Sequence, residues 1–169
     1  MKKELLLFLT SNYSIDRVNN DLIQNKYNLF DEVKLLNENN LDDYIKSIVE
    51  NNIRKYGHDG HGYPLRGYGY WIWKPYIILQ ELNKLQEGDI LVHLDIHCHL
   101  NIIKDKFEDI INELNNQSVI LGNVGFNDYM YTTTKLRKHI EKSLNYKFTE
   151  DELNGAQYES GIQFIKNNK

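Results

Sequence analysis

The chain has 169 residues, enough for one domain with a core of its own, and its 41% apolar and 12% aromatic content excludes a disordered chain. A formal charge of -4 leaves no general basic field of the kind that nucleic-acid binders carry. Cys98 is the single cysteine, which excludes an intrachain disulfide and fits a reducing compartment.

Leu5 to Leu9 reads as a buried first strand, closed by the polar loop Thr10-Ser11-Asn12. That run is too short for a signal-peptide core or a membrane span. A cytoplasmic protein is expected, with any association at the inner face of the membrane made through partners. Residues 16–27 read as helical, and Phe30 to Leu36 as a short second strand. Leu41, Tyr44, Ile45, Ile48, Val49 and Ile53 recur at helical spacing and predict a helix over 41–56. Gly57, Gly60, Gly62, Pro64, Gly67 and Gly69 then punctuate a long loop. Pro75 suits the first turn of a helix that continues to about Leu85. Glu87-Gly88-Asp89 turns the chain into a strand at Ile90 to Leu94. A helix at Lys104 to Leu114, a strand at Ser118 to Leu121, a helix at Thr133 to Leu144 and a strand at Gly161 to Ile165 follow. No repeat or linker interrupts the sequence. The alternation predicts one α/β domain over 1–169, with helices flanking a mostly parallel sheet. Ligands gather at the carboxyl ends of such strands, where both Thr10-Ser11 and Asp95 to His97 fall.

His93, Asp95, His97 and His99 share one face of an extended segment, because strand side chains alternate. Carboxylate and neutral imidazole both suit manganese or magnesium, and Asp95 with His97 is the expected metal pair. Two protein ligands hold such an ion weakly, as befits a metal that arrives with a diphosphate completing its shell. Asp95, straight after an apolar run, is costly to bury unless something pairs with it. For His93 and His99, packing within the strand end is the preferred reading. Cys98 reads as a small buried residue rather than a nucleophile.

Upstream, Arg66 and Lys74 are expected to hold phosphate oxygens, Arg66 as a fork and Lys74 as a point charge. Tyr68, Tyr70, Trp71 and Trp73 can stack on a base or sugar, although at least one tryptophan is expected to anchor the loop in the core. His58-Asp59-Gly60-His61 has the residue types of a metal cluster but no third ligand in sequence, and reads as a loop. Gln157-Tyr158-Glu159-Ser160-Gly161 precedes the last predicted strand. Glu159 there is the candidate catalytic base or sugar contact, set against a solvated turn acid.

Gly67-Tyr68-Gly69-Tyr70-Trp71-Ile72-Trp73-Lys74-Pro75, the Gly88-Asp89-Ile90-Leu91 turn and His93 to Asn101 together resemble a group of bacterial glycosyltransferases. These belong to capsule and lipopolysaccharide outer-chain synthesis and are similar to small GT-A fold transferases. Gln157 to Ile162 resembles the group's segment before a late strand. The likeness is specific over 66–101 and loose over 1–165. It implies a GT-A-like fold and a metal-dependent hexosyltransferase that moves a sugar from a nucleotide diphosphate to a hydroxyl of a glycan or lipid-linked glycan. The metal motif of GT-A enzymes is Asp-x-Asp; here His97 replaces the second acid, giving the Asp-x-His form. The same resemblance puts Thr10 and Ser11 against the nucleotide, and Arg66 and Lys74 near the donor. Asp95 and Glu159 are then the catalytic candidates. The alternative is a non-catalytic nucleotide- or glycan-binding subunit of a polysaccharide assembly system. A metal hydrolase using His93, Asp95 and His97 is a third reading. Because GT-A transferases usually continue past the last predicted strand, a thin acceptor half is expected, completed by a homo-oligomer or lacking a C-terminal segment.

Overall fold

The computed structural model describes residues 1–10, 29–56, 68–69, 71–95, 98, 104–127, 134–154 and 156–168. They form β1 (Lys3–Phe8), β2 (Glu32–Leu36), a 3-10 helix (Glu38–Asn40), α1 (Asp43–Tyr56), α2 (Lys74–Leu82) and β3 (Ile90–Leu94). Then come α3 (Lys104–Glu113), β4 (Val119–Asn127), α4 (Thr134–Leu144), α5 (Glu150–Leu153) and β5 (Ala156–Lys166). The helix expected over 16–27 and the glycine loop over 57–67 lie outside the described residues. Two compact units divide the chain, Met1–Ile120 with Ile162–Lys169, and Leu121–Gly161. Among the described residues, no helix is long and apolar enough to cross a membrane.

The strands stand in the order β2-β1-β3-β5-β4. β1 pairs parallel with β2 and with β3, so Leu6 lies beside Lys34 on one side and His93 on the other. β3 pairs antiparallel with β5, bringing Gln163 opposite His93. The sheet is therefore mixed and only partly parallel, where the sequence predicts a mostly parallel one. Strand direction is the part an apolar run does not encode. Phe164 and Ile165 reach opposite faces of β5 whichever way the strand runs.

Alternation on the pleat builds two cores. Leu5, Leu7, Val92, Leu94 and Phe164 meet Phe107 and Ile111 of α3 on one face. Leu6, Phe8 and Leu91 meet Val49 of α1 and Ile77 and Ile78 of α2 on the other. With both faces covered, β1 and β3 bury nearly every side chain, which is why they read as unbroken apolar runs.

The face toward α2 also holds charge. Glu4 and Glu81 are both buried, and Lys34 bridges them at 3.1 Å and 2.8 Å. Lys2 adds a contact of 3.0 Å to Glu4, and Lys84 one of 2.6 Å to Glu81. Burial alone pushes the Glu81 carboxyl up, but the bonds from Lys34 and Lys84 outweigh it and hold the group below its usual value. Asp89 ties the entry to β3 by accepting from the Lys2 N–H at 2.7 Å and the Gln86 N–H at 3.0 Å. Asn167 satisfies the end of α2, its Nδ2 donating to the carbonyls of Leu82, Leu85 and Gln86.

In the second unit, Thr149 and Glu152 cap α5 reciprocally: the Thr149 hydroxyl accepts from the Glu152 N–H at 3.2 Å, and the Glu152 carboxylate from the Thr149 N–H at 2.8 Å. Tyr146 meets Phe148 edge-on at 5.5 Å. Its hydroxyl donates to Glu152.

Candidate functional site

The start of α2 is pinned from both sides of Lys74. Pro75 sits in the first helical turn, where a missing N–H costs nothing. Trp73 is buried and stacks on Phe8 at the end of β1, ring centroids 3.8 Å apart and planes at 20°. One of the two tryptophans thus anchors the loop in the core, as the sequence suggests. Anchoring Trp73 there places Lys74 over the carboxyl ends of β1 and β3.

Asp95 is the first residue past β3, and the Cys98 N–H donates to its carbonyl at 2.8 Å. Lys74 Nζ lies 2.8 Å from each Asp95 carboxylate oxygen. The lysine side chain is 6% exposed and the aspartate 26%, so the ammonium is held inside and the carboxylate opens to the rim. An acid that follows an apolar strand has found the partner its position demands.

His93 lies under this pair, on the pleat face it shares with Leu91. It is fully buried, and neither ring nitrogen has a hydrogen-bond partner among the described residues. Its Nε2 is 3.8 Å from Asp95 Oδ1. Burial first, and then the charge of Lys74, lower its pKa from 6.5 to about 3, so the ring is neutral at ordinary pH. Buried polar nitrogens normally find partners, and an exception calls for a physical reason.

The approach to the pair is built from backbone that few residues adopt. Tyr68 (φ 50), Gly69 (φ 77) and Trp71 (φ 56) are all left-handed. Tyr68 stacks on Phe8 at 6.3 Å and holds that conformation through packing. At Gly69 the positive φ strains any side chain, and an added Cβ would crowd Val49, lying 3.0 Å from its Cγ1. Gly69→Ala is expected to lower stability by ~1–3 kcal/mol in urea denaturation, from strain and crowding together. A variant as stable as the wild type would show that this turn does not depend on glycine.

Of the residues singled out from the sequence, Lys74 and Asp95 are brought together. Lys74, expected on a phosphate, rests on the Asp95 carboxylate. Thr10, half-buried, follows β1 at the same edge of the sheet. Ser11, Arg66 and His97 lie outside the described residues, as do His58 to His61 and His99. Glu159 falls inside β5, not in a segment before the last strand; it belongs to the second unit and its side chain is outside the described residues. Cys98 is half-buried and packs against the core that includes Phe107. His93 is the residue that sequence reasoning set aside. The available signal was an imidazole inside a buried strand, two positions from the acid.

Among the described residues, no three His, Cys, Asp or Glu side chains converge as a ligand set. The expected metal pair is Asp95 with His97, and His97 lies outside the described residues. Asp95 supplies a charged oxygen at an open edge, and a neutral, unbonded nitrogen of His93 lies 3.8 Å from it. The cation now seated on Asp95 is the Lys74 ammonium. Compared with protein-family models, curated proteins and solved structures, the chain matches none.

Proposed function

We propose that the chain is a metal-dependent glycosyltransferase of GT-A-like fold, moving a sugar from a nucleotide diphosphate to a hydroxyl of a surface glycan or its lipid-linked precursor. The observation that carries this reading is the Lys74–Asp95 pair at the carboxyl ends of β1 and β3, the edge where α/β sheets collect ligands. A metal diphosphate offers each member of the pair an opposite charge. Lys74, with Arg66, takes phosphate oxygens; Asp95, with His97, takes the divalent ion. When bound, manganese or magnesium supplies positive charge to the departing diphosphate. Thr10 and Ser11 lie against the nucleotide in this reading. The work is cytoplasmic, at the inner face of the membrane through partners.

The test is a screen of nucleotide sugars by thermal shift, with and without manganese, followed by transfer or hydrolysis assays on the hits. Wild-type protein is expected to bind uridine or guanosine diphosphate in a manganese-dependent way and to turn over a nucleotide sugar. Asp95→Ala, checked for folding by circular dichroism, is expected to abolish that binding. Wild-type-like binding of metal and nucleotide by this variant would displace the site from Asp95. Binding without any turnover would favour a non-catalytic subunit, a reading in which the Lys74–Asp95 pair opens only to hold a ligand.

A further inference from the structure

We propose that His93 is a protein ligand of the divalent ion at Asp95, and that Lys74 covers this inner site until an anion draws it away. The inference rests on the reading that a divalent ion works at Asp95, and adds a ligand and an order of events. Its first support is distance. Two ligand atoms each about 2.1 Å from one ion lie roughly 3.0 Å apart at a right angle and roughly 3.4 Å apart at the tetrahedral angle. His93 Nε2 and Asp95 Oδ1 are 3.8 Å apart, a few tenths of an ångström wider. A small rotation of the half-exposed Asp95 carboxylate closes that gap.

The second support is the state of the ring. A neutral imidazole carries one N–H and one lone pair, and both nitrogens of His93 are buried with no hydrogen bond among the described residues. Pure packing beside Leu6 would be met better by leucine, which buries no polar atom. An unbonded lone pair beside a carboxylate is what a cation requires.

The third support is Lys74. Its ammonium already occupies the cation position on Asp95, 2.8 Å from both oxygens. While it stays, a second cation is repelled from Asp95 and His93 remains sealed beneath. A phosphate group that binds the ammonium lifts that seal, so metal and anion enter together and the metal alone binds poorly.

Manganese binding read by electron paramagnetic resonance tests this without any assay of activity. Lys74→Ala is expected to bind manganese alone at least tenfold more tightly than the wild type, and adding His93→Gln is expected to reverse that gain. A second arm keeps Lys74 in place and removes the neighbouring imidazole: in His97→Ala with manganese and inorganic pyrophosphate, pulsed measurements should show a directly bound imidazole nitrogen. The further change His93→Gln should erase it. No nitrogen coupling in His97→Ala, or coupling that survives His93→Gln, overturns the inference, as does manganese affinity unmoved by Lys74→Ala. Nitrogen coupling that depends on His93 in a protein that turns over no nucleotide sugar would sink the transferase reading and leave this one standing. Sugar transfer that needs manganese yet shows no such coupling would do the reverse.

Discussion

Between about pH 8 and pH 5 the wild-type protein is expected to lose about 2 kcal/mol of stability that His93→Leu does not lose. The sign follows from the buried ring. In the fold His93 takes a proton only near pH 3, whereas in the unfolded chain it does so near 6.5. Over that interval the unfolded state binds more protons, so acid favours it, at about 1.4 kcal/mol for each pH unit once the unfolded histidine is charged. Glu81 and Asp89 are held below their usual values, so their contribution is lost only at more acid pH. Urea denaturation at the two pH values, on both proteins, gives the comparison directly. At pH 8 the leucine variant should be no less stable than the wild type, since it removes two unbonded buried nitrogens. Identical pH dependence in the two proteins would mean that the ring is hydrated or bonded in solution.

Lys34→Met is expected to cost about 2–4 kcal/mol. Among the described residues, Lys34 alone pairs with both buried carboxylates of the α2 face, and methionine keeps its length while removing the charge. Glu4 and Glu81 would then rely on Lys2 and Lys84 alone, with one Glu4 oxygen already lacking a bond among the described residues. Partial exposure of Lys34 and the two remaining lysines keep the loss from being greater. Lys106→Met is the control, because its pair with Asp109 is exposed at both ends and such pairs are worth ~0–1 kcal/mol. A similar urea midpoint for the two variants would show that the buried network adds nothing beyond surface charge.

What could be read from the sequence was whatever depends on neighbours along the chain. The Leu5–Leu9 run became β1, the helical spacing from Leu41 to Ile53 became α1, and Pro75 marked the first turn of α2. Ile90 to Leu94 formed β3 over those residues. What depends on meeting across the fold was not legible. Lys74 and Asp95 are 21 positions apart, and no local rule joins them. The burial of Glu4 and Glu81 has no local sign, because only a third partner, Lys34 on β2, makes it tolerable. Glu159 was placed before the last strand, but β5 already begins at Ala156 and includes it. Helix α5 had a local sign that went unread, Thr149 with Glu152 three positions on. The carboxyl-edge site was half visible: Asp95 by its cost of burial, Lys74 by its charge, but not their mutual bond.

Trp71 and Trp73, the protein's two tryptophans, divide its ultraviolet emission into two environments. Trp71 is 37% exposed and open to a quencher in water, while Trp73, at 5%, is shielded against Phe8. Acrylamide therefore strips away the red-shifted component first and leaves the signal of an indole bonded along the chain to Lys74. The chain carries its own optical gauge beside the rim of the sheet, one that reports on the lysine's surroundings without any label.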